Sequence, residues 1–587
     1  MFEPTTGQGA CPLQSPDDKL NCILIHPRFS DHSYWNYKRA IKTMGIKAPS
    51  SPLGLITVAA LLPQHWSFKV MDLNIGDWSE ADFQWADVVC VGGMLPQQIG
   101  ILDVIKRAQA AGKYVVAGGA DPSSQPAIYQ HADTLIVGEG ETVIPLWMES
   151  WRNGKRNGVF SHATKPDVTK SPVPRFDLLD LDAYMQVGIQ YSRGCPFNCE
   201  FCDIIELFGR VPRTKTPAQI VNELETLRKL GYRGSVELVD DNFIGNKRAV
   251  KRDLLPAIIA WNKKKRYPFY FSTESSMNLG DDDALLDLMR AAEFRYVFVG
   301  IETPDPELLL KTQKSQNTMK PIADRIRKIN SYGITVLAGF IMGFDGEKEH
   351  TDQSLIRCIE DTAVCMAMVG LLVALPNTQL TRRLQKEGRL LNFQFEPIAS
   401  NQLPQDGPAA AFHNPRVEVS DQTTAGINFV TLRPREEVLN EFCNVVRTVY
   451  APKTYMDRIM RAAKKTWKFP RHLPRPKQFL RNMRGLVTVC WEMSKIPVAR
   501  VYFWRNFFRG IFLGPYRFEI MMRLMGMHLH FEPHTRYTLA NVAKQISASK
   551  GILSLPLNGK PSASPLGSDL TPGLENTPAD LKHAVST

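Results

Sequence analysis

Short apolar runs that end in glycine, proline or aspartate recur through the N-terminal part of the chain. CILIHP (22–27), SFKVMDL (67–73), VVCVGGM (88–94), YVVAGGA (114–120) and TLIVGEG (134–140) each read as a buried strand. Between them lie helical segments such as 99–112, whose Ile101, Val104, Ile105 and Ala108 share one face. Strands alternating with helices predict an α/β fold, here a doubly wound, Rossmann-like parallel sheet over residues 21–155. A polar stretch with several prolines, 156–184, reads as a linker.

A second series begins at GIQYSR (188–193). It continues through SVELVD (235–240), FYFST (269–273), YVFVGIE (296–302), TVLAGFIMG (335–343) and MVGLLVAL (368–375). The best-marked helix is 217–231. Thr216 is its N-cap, Pro217 its first residue, Gln219 completes a capping box and Gly231 ends it. Six strand–helix repeats predict a partial (β/α)6 barrel over 185–430, followed by a basic helical region over 431–550. Residues 1–20 and 551–587 have little to bury and read as tails without fixed structure.

Composition narrows this picture. The chain of 587 residues is 44% hydrophobic and 22% charged, which is globular, and its net charge of +12 suits an anionic partner or surface. No apolar run reaches the roughly 18–20 residues a membrane span needs. The longest, Ala363 to Leu375, reads as a buried strand. The first residues lack a basic patch followed by an apolar stretch, so no signal peptide is expected. Ten cysteines, three of them within eight residues, suggest a reducing compartment with one metal site.

That site is RGCPFNCEFCD (193–203), where Cys195, Cys199 and Cys202 are spaced C-x3-C-x2-C. Thiolates are the ligands iron–sulfur clusters use, and three of them leave one iron of a [4Fe–4S] cluster open. The motif follows a predicted strand, at the end where barrel folds gather their chemistry. The alternative is structural zinc. Zinc prefers four ligands in paired spacings, and the next cysteine is Cys358.

With Phe201 just before the last cysteine, this motif resembles the fingerprint of the radical S-adenosylmethionine (SAM) enzymes, over about residues 185–400. The resemblance implies that the open iron chelates SAM, and that one electron cleaves it to a 5′-deoxyadenosyl radical. It also places the cofactor contacts. Asp240, Asp241 and Asn242 of VDDNF (239–243) would meet the methionine ammonium. Glu274 of STES (272–275) and Glu302 of GIE (300–302) would meet the ribose hydroxyls or the amino group. Gly339 and Gly343 of GFIMG (339–343) would let the backbone approach the adenine. Read without the resemblance, each carboxylate is equally a salt bridge or a helix cap at the barrel rim.

A doubly wound domain ahead of such a barrel resembles the cobalamin-binding arrangement of B12-dependent radical SAM enzymes. The D-x-H-x-x-G cobalt-ligand motif is absent, although His26 and His32 lie near the first strand. The resemblance implies contacts from the turns VGGM (91–94), AGGA (117–120) and VGEGE (137–141), through Gly93, Gly118, Gly119 and Gly138. Otherwise these are ordinary turns of the fold.

Lys453 to Arg484 holds many cations and one acid, Asp457, and 501–530 is dense in aromatics, Met and Arg. Such helices suit a membrane interface. The alternatives are a packed helical cap with a solvated basic face, or RNA, for which no binding module is visible. Charge reversal at Lys464, Lys465, Lys468 and Arg471 addresses the membrane reading.

The layout resembles cobalamin-dependent radical SAM methyltransferases, and within them the hopanoid C-2 methylases. It implies a small-molecule substrate, a pentacyclic lipid, and an electron donor such as a flavodoxin or ferredoxin. No nucleic acid is expected. The expected location is the cytoplasm, with peripheral contact to the inner membrane. Other readings are a tetrapyrrole-type cyclase or rearrangement enzyme, a tRNA-modifying enzyme, and a non-catalytic cluster sensor.

Overall fold

A computed structural model describes residues 15–34, 36–391, 426–465 and 476–548. Most of the two predicted tails, 1–14 and 551–587, lies outside these residues, as do Lys468 and Arg471. The first sheet contains β1 (Asn21–His26), β3 (Ser67–Asp72), β4 (Val88–Gly92), β5 (Tyr114–Gly118), β6 (Thr134–Val137) and β7 (Gly158–Ser161). All pairs are parallel, in the order β3-β1-β4-β5-β6-β7. Alternate residues supply two separate cores. Cys22, Leu24, Val88 and Cys90 pack with Ile144, Trp147 and Trp151 on one face, and Ile23, Ile25, Val89 and Val91 pack with Ile101, Val104 and Ile105 on the other. That is why these strands read as continuous apolar runs. The order reverses between β1 and β4, so ligand space opens at the carboxyl ends near that crossing.

The second sheet runs β15-β14-β13-β12-β11-β8-β2. Its strands are β2 (Ala48–Ser50), β8 (Tyr184–Ile189), β11 (Gly234–Leu238), β12 (Phe269–Ser275), β13 (Phe294–Glu302), β14 (Thr335–Met342) and β15 (Ala367–Leu371). Every pair is parallel, as a half-barrel requires. The helix Pro217–Lys229 carries the predicted capping box of Thr216 and Gln219.

Two segments sit elsewhere than the sequence pattern placed them. Ala48–Ser50, inside the predicted first unit, joins the barrel edge beside Tyr184 and Gln186. Gly158–Ser161, inside the predicted linker, extends the first sheet. Both are short edge strands without an apolar run.

The helical region closes the side between the barrel's two edges. Arg435–Val449 packs on β15 and on the helix Thr351–Thr362. Pro476–Ser494 packs on residues 42–44, and His528–Ala548 on Lys38–Ile41, next to β2. Covering both edges removes the exposed ladders that invite aggregation. No helix among the described residues is long and apolar enough to cross a membrane.

Candidate active site

The cysteine loop leaves the carboxyl end of β8 and is held at its base by an antiparallel pair, β9 (Ser192–Arg193) with β10 (Arg213–Thr214). Gly194 has φ +93, and a Cβ there would meet Gly209 O at 2.8 Å. Only glycine lets the loop close so tightly before Cys195. The Cys195 N–H donates to Gly209 O at 3.2 Å, and the Cys202 N–H to Cys199 O at 3.2 Å. All three thiols are free of disulfides. Asn242 Nδ2 lies 3.7 Å from Cys195 Sγ, and Gln316 Nε2 lies 3.7 Å from Cys199 Sγ. Amide donors to sulfur tune the potential of an iron–sulfur cluster.

Burial raises the Cys195 thiol and, with Asp203 next in effect, raises Cys202 well above its ordinary value. Thiolates here therefore need a bound cation. Sulfurs around one zinc would sit about 3.8 Å apart, given Zn–S bonds of about 2.3 Å. Among the described residues, the atoms that converge within 4.8 Å are those of His350, Asp352 and Glu441, not the three thiols.

The strand-end residues divide into two groups. Asp240 is fully buried and accepts from the N–H groups of Tyr191 and Ser192 and from the Ser192 hydroxyl. Its oxygens are spent on the entry to the cysteine loop. Asn242 likewise accepts from the Ser276 N–H and hydroxyl while donating to Cys195. Asp241, by contrast, has a buried Oδ2 with no hydrogen-bond partner. Burial, with Asp240 beside it, pushes its carboxyl up to about 7. Burial and the neighbouring Glu237, Asp241 and Asp240 push Glu274 up to about 8. Lys215 acts on Asp240 from behind the loop, and the crowded acids Asp241 and Glu274 suit an incoming ammonium.

Glu302 does not share that opening. It is ion-paired with Lys314, at φ +66, where the β13–β14 register shifts. Lys314 lies 5.7 Å from the centre of the Phe201 ring, which in turn packs edge-on against Phe344 at 5.5 Å. Gln316 and Lys314 were not visible as site residues in the sequence. They stand in a polar loop after β13 with no motif, and only the fold brings them to the cysteines.

The glycines of GFIMG differ as well. A Cβ at Gly343 would meet Ile427 Cδ1 at 3.0 Å, its φ is +102, and its N–H donates to Glu347 Oε1 at 2.8 Å. Ile427 already fills the direction that a side chain at Gly343 would take. A Cβ at Gly339 would meet only the Phe298 ring edge, 3.1 Å away. Gly343→Val is therefore expected to lower Tm whatever its effect on ligand. Gly339→Val is expected to weaken SAM binding with the cluster's visible absorption retained. Equilibrium binding checks this, and undiminished affinity would remove Gly339 from the adenine contacts.

Residues 189–359 match the Radical SAM superfamily, and residues 378–544 match a domain of unknown function (DUF4070). A Synechocystis protein named as an uncharacterized methyltransferase is 40% identical over 90% of this chain and 94% of its own length. The hopanoid C-2 methylase of Rhodopseudomonas palustris is 33% identical over 88% of this chain and 94% of that protein. The chain belongs to the radical SAM methyltransferases.

Two solved structures share the fold of this radical SAM methyltransferase. OxsB, a cobalamin-dependent radical enzyme with aqua-cobalamin bound, superposes with a TM-score of 0.53 at 14% identity, over 92% of this chain and 82% of that one. TsrM of Kitasatospora setae, a methyltransferase with cobalamin and a [4Fe–4S] cluster bound, gives 0.52 at 18% identity, over 65% and 78%.

In this radical SAM methyltransferase the first sheet's carboxyl ends meet the cysteine loop. Glu139 and Glu141, from the VGEGE turn after β6, bind Arg193, which directly precedes Gly194 and Cys195. The distances are 2.8 and 2.7 Å, and Arg213 joins Glu139 at 2.7 Å. Burial alone would raise the Glu141 carboxyl, but hydrogen bonds and charge from Arg193 hold it down at about 2. Beside this network, Asn377 Nδ2 donates to Ser124 O at 2.8 Å. Ser123, Ser124, Asp203, Glu206, Leu207, Pro376 and Asn377 line a crevice of about 260 Å³ between the two sheets.

The turn glycines serve packing first. A Cβ on Gly119, at φ +101, would meet Gly93 N and O at 3.1 and 3.2 Å, and one on Gly118 would meet Ile136 at 3.3 Å. Gly138, at φ +104, donates its N–H to Ser123 Oγ at 2.9 Å. His26 is packed against Phe29 and near Gln97 rather than turned toward the crevice.

Proposed function

We propose that this protein is a cobalamin-dependent radical SAM methyltransferase acting on an unactivated carbon of a lipid, the C-2 position of a hopanoid being the foremost candidate. The observation that carries it is the junction of the two sheets. The end of the first sheet that would hold a methyl-donating cofactor is ion-paired to the loop that would hold the cluster. The methylase relatives aligned over nearly their whole length support the reaction, and the 33% identity to the hopanoid enzyme supports the substrate.

The residues fit both groups. Three thiols on one loop, with two amide donors beside them, suit a cluster with one open iron. The crevice between the sheets, about 260 Å³, would take only an edge of a cobalamin, with the carboxyl ends of the first sheet's strands left to hold the rest. Bound there, cobalamin would supply a transferable methyl group, and the cluster would supply the electron that cleaves SAM. The chain's own work is placement. Asp241 and Glu274 would take the SAM ammonium and ribose. Asp240 would hold the cysteine loop by its backbone, and Lys314 would keep Glu302 neutralised beside Phe201. An external donor of flavodoxin or ferredoxin type would deliver the electron, and a lipid substrate would be met at a membrane.

Turnover with SAM deuterated in its methyl group is the test. Labelled product is expected, with equal amounts of S-adenosylhomocysteine and 5′-deoxyadenosine. Formation of 5′-deoxyadenosine alone, without bound cobalamin or methylated product, would replace this reading with the rearrangement one.

A further inference from the structure

The helices Pro476–Ser494 and Pro497–Ile511 each bury one face and leave the other apolar. In the first, Gly485, Val489 and Met493 turn inward, and a Cβ on Gly485 would press on Met44 Cγ at 2.9 Å. Its outward residues follow at helical spacing: Phe479, Leu480, Met483, Val487 and Trp491. In the second, Ala499, Phe503, Asn506 and Gly510 are buried. Its outward residues are Val498, Val501, Phe508 and Ile511, continued just past the helix by Phe512. Trp491 is 66% exposed and Phe512 89%, values unusual for side chains of this size. Among the described residues nothing covers these two consecutive helix faces, and an apolar patch of this extent marks an interaction surface.

Charge identifies the occupant. Arg481, Arg484, Lys495, Arg500 and Arg509 are interspersed with these apolar residues, while Arg505 turns inward to pair with Asp457; the one acid within the two helices, Glu492, is paired with Lys495. The Lys495 ammonium lies over the Trp491 ring, 5.2 Å from its centre. An apolar stripe flanked by cations matches the acyl–headgroup boundary of an anionic bilayer. A second copy of the chain would bring the same cations against these, so self-association is opposed. We propose that the exposed faces of helices 476–494 and 497–511 form a membrane-docking surface selective for anionic lipid. The lipid-substrate reading gives the surface a purpose, but its evidence is independent of that reading. The surface also differs from the sequence expectation, because Lys464 and Lys465 end the preceding helix rather than belonging to the stripe.

The test is sedimentation of the full-length, cluster-reconstituted protein with phosphatidylcholine vesicles, with and without phosphatidylglycerol. Binding is expected to need phosphatidylglycerol and to weaken with added salt. The double variants Val487→Glu/Trp491→Glu and Phe508→Glu/Phe512→Glu are each expected to lower the partition coefficient at least about tenfold. The milder Trp491→Phe is expected to retain binding. Unchanged circular dichroism and unchanged methyl transfer to detergent-dispersed substrate would separate lost docking from lost fold. Parent protein that ignores anionic vesicles, or variants that bind as the parent does, would overturn the proposal. So would a parent that forms dimers which the substitutions dissociate. A parent that docks but transfers no methyl group would leave the surface standing and remove the function proposed above.

Discussion

Cys199→Ala is expected to yield a folded protein that retains almost no cluster iron and cleaves no SAM. Cys199 is the most buried of the three thiols, and its sulfur faces the Gln316 amide. With it gone, two thiolates remain to hold a cluster that needs three protein ligands. The scaffold does not depend on that sulfur. Asp240 still ties Tyr191 and Ser192, Gly194 still closes against Gly209, and β9 still pairs with β10. The measurement is iron per chain after anaerobic reconstitution, about four in the parent and near none in the variant. Production of 5′-deoxyadenosine is followed in parallel, with circular dichroism as the fold control. Stoichiometric zinc in parent protein purified without oxygen, or cleavage surviving the substitution, would refute the cluster assignment.

The second large effect is expected at Arg193, through both stability and reaction partitioning. The side chains of Glu139 and Glu141 are only 3% and 7% exposed, and Arg193 serves both. Arg193→Gln leaves Glu141 buried without its cation, while Arg213 still pairs with Glu139. Stranding a buried charge this way costs about 3–5 kcal/mol. Arg193→Lys keeps the charge but not the two-pronged geometry, so partial recovery is expected. The pH dependence follows from Glu141, whose carboxyl lies near 2 against an ordinary 4.5. Its folded value is depressed, so its contribution is complete above about pH 4.5 and is lost as the pH falls toward 2. The parent should therefore lose stability in that acid window more steeply than Arg193→Gln, as denaturation series at graded pH would reveal. Under the proposed function, the same change shifts the cysteine loop relative to the first sheet. A misplacement of about 1 Å costs on the order of 100-fold in rate. Methylated product should fall much further than iron content, and product per SAM cleaved should fall with it. Parent-like stability and product yield together would mean that the ion pairs do no positioning.

The local signals are legible in the sequence. The cysteine spacing lies within eight residues, so a single loop can present all three thiols whatever surrounds it. The strands of both sheets announced themselves because parallel strands buried on both faces must be apolar at nearly every position. The Thr216–Gln219 capping box is likewise complete within one turn. Ala48–Ser50 and Gly158–Ser161 escaped because short edge strands carry neither an apolar run nor an alternation. Asp240 was identified as a site residue from its place after β11, but nothing in VDDNF indicates that its oxygens are consumed by Tyr191 and Ser192 while Asp241 keeps one unpaired.

By itself the sequence determined the two parallel sheets, the three-cysteine loop, and the aromatic, basic character of the C-terminal helices. These depend on residue type and on spacings short enough to act within one element. The tertiary structure alone decided which groups meet. Gln316 reaches Cys199 across 117 positions, and Arg193 reaches Glu139 across 54. It also decided which face of helices 476–494 and 497–511 is bare, since their apolar residues occupy both faces and only packing against Met44 and Met521 selects the inner one. Contacts between distant segments and the burial of one helix face over another are set by the summed packing of the whole chain, and no local pattern encodes them.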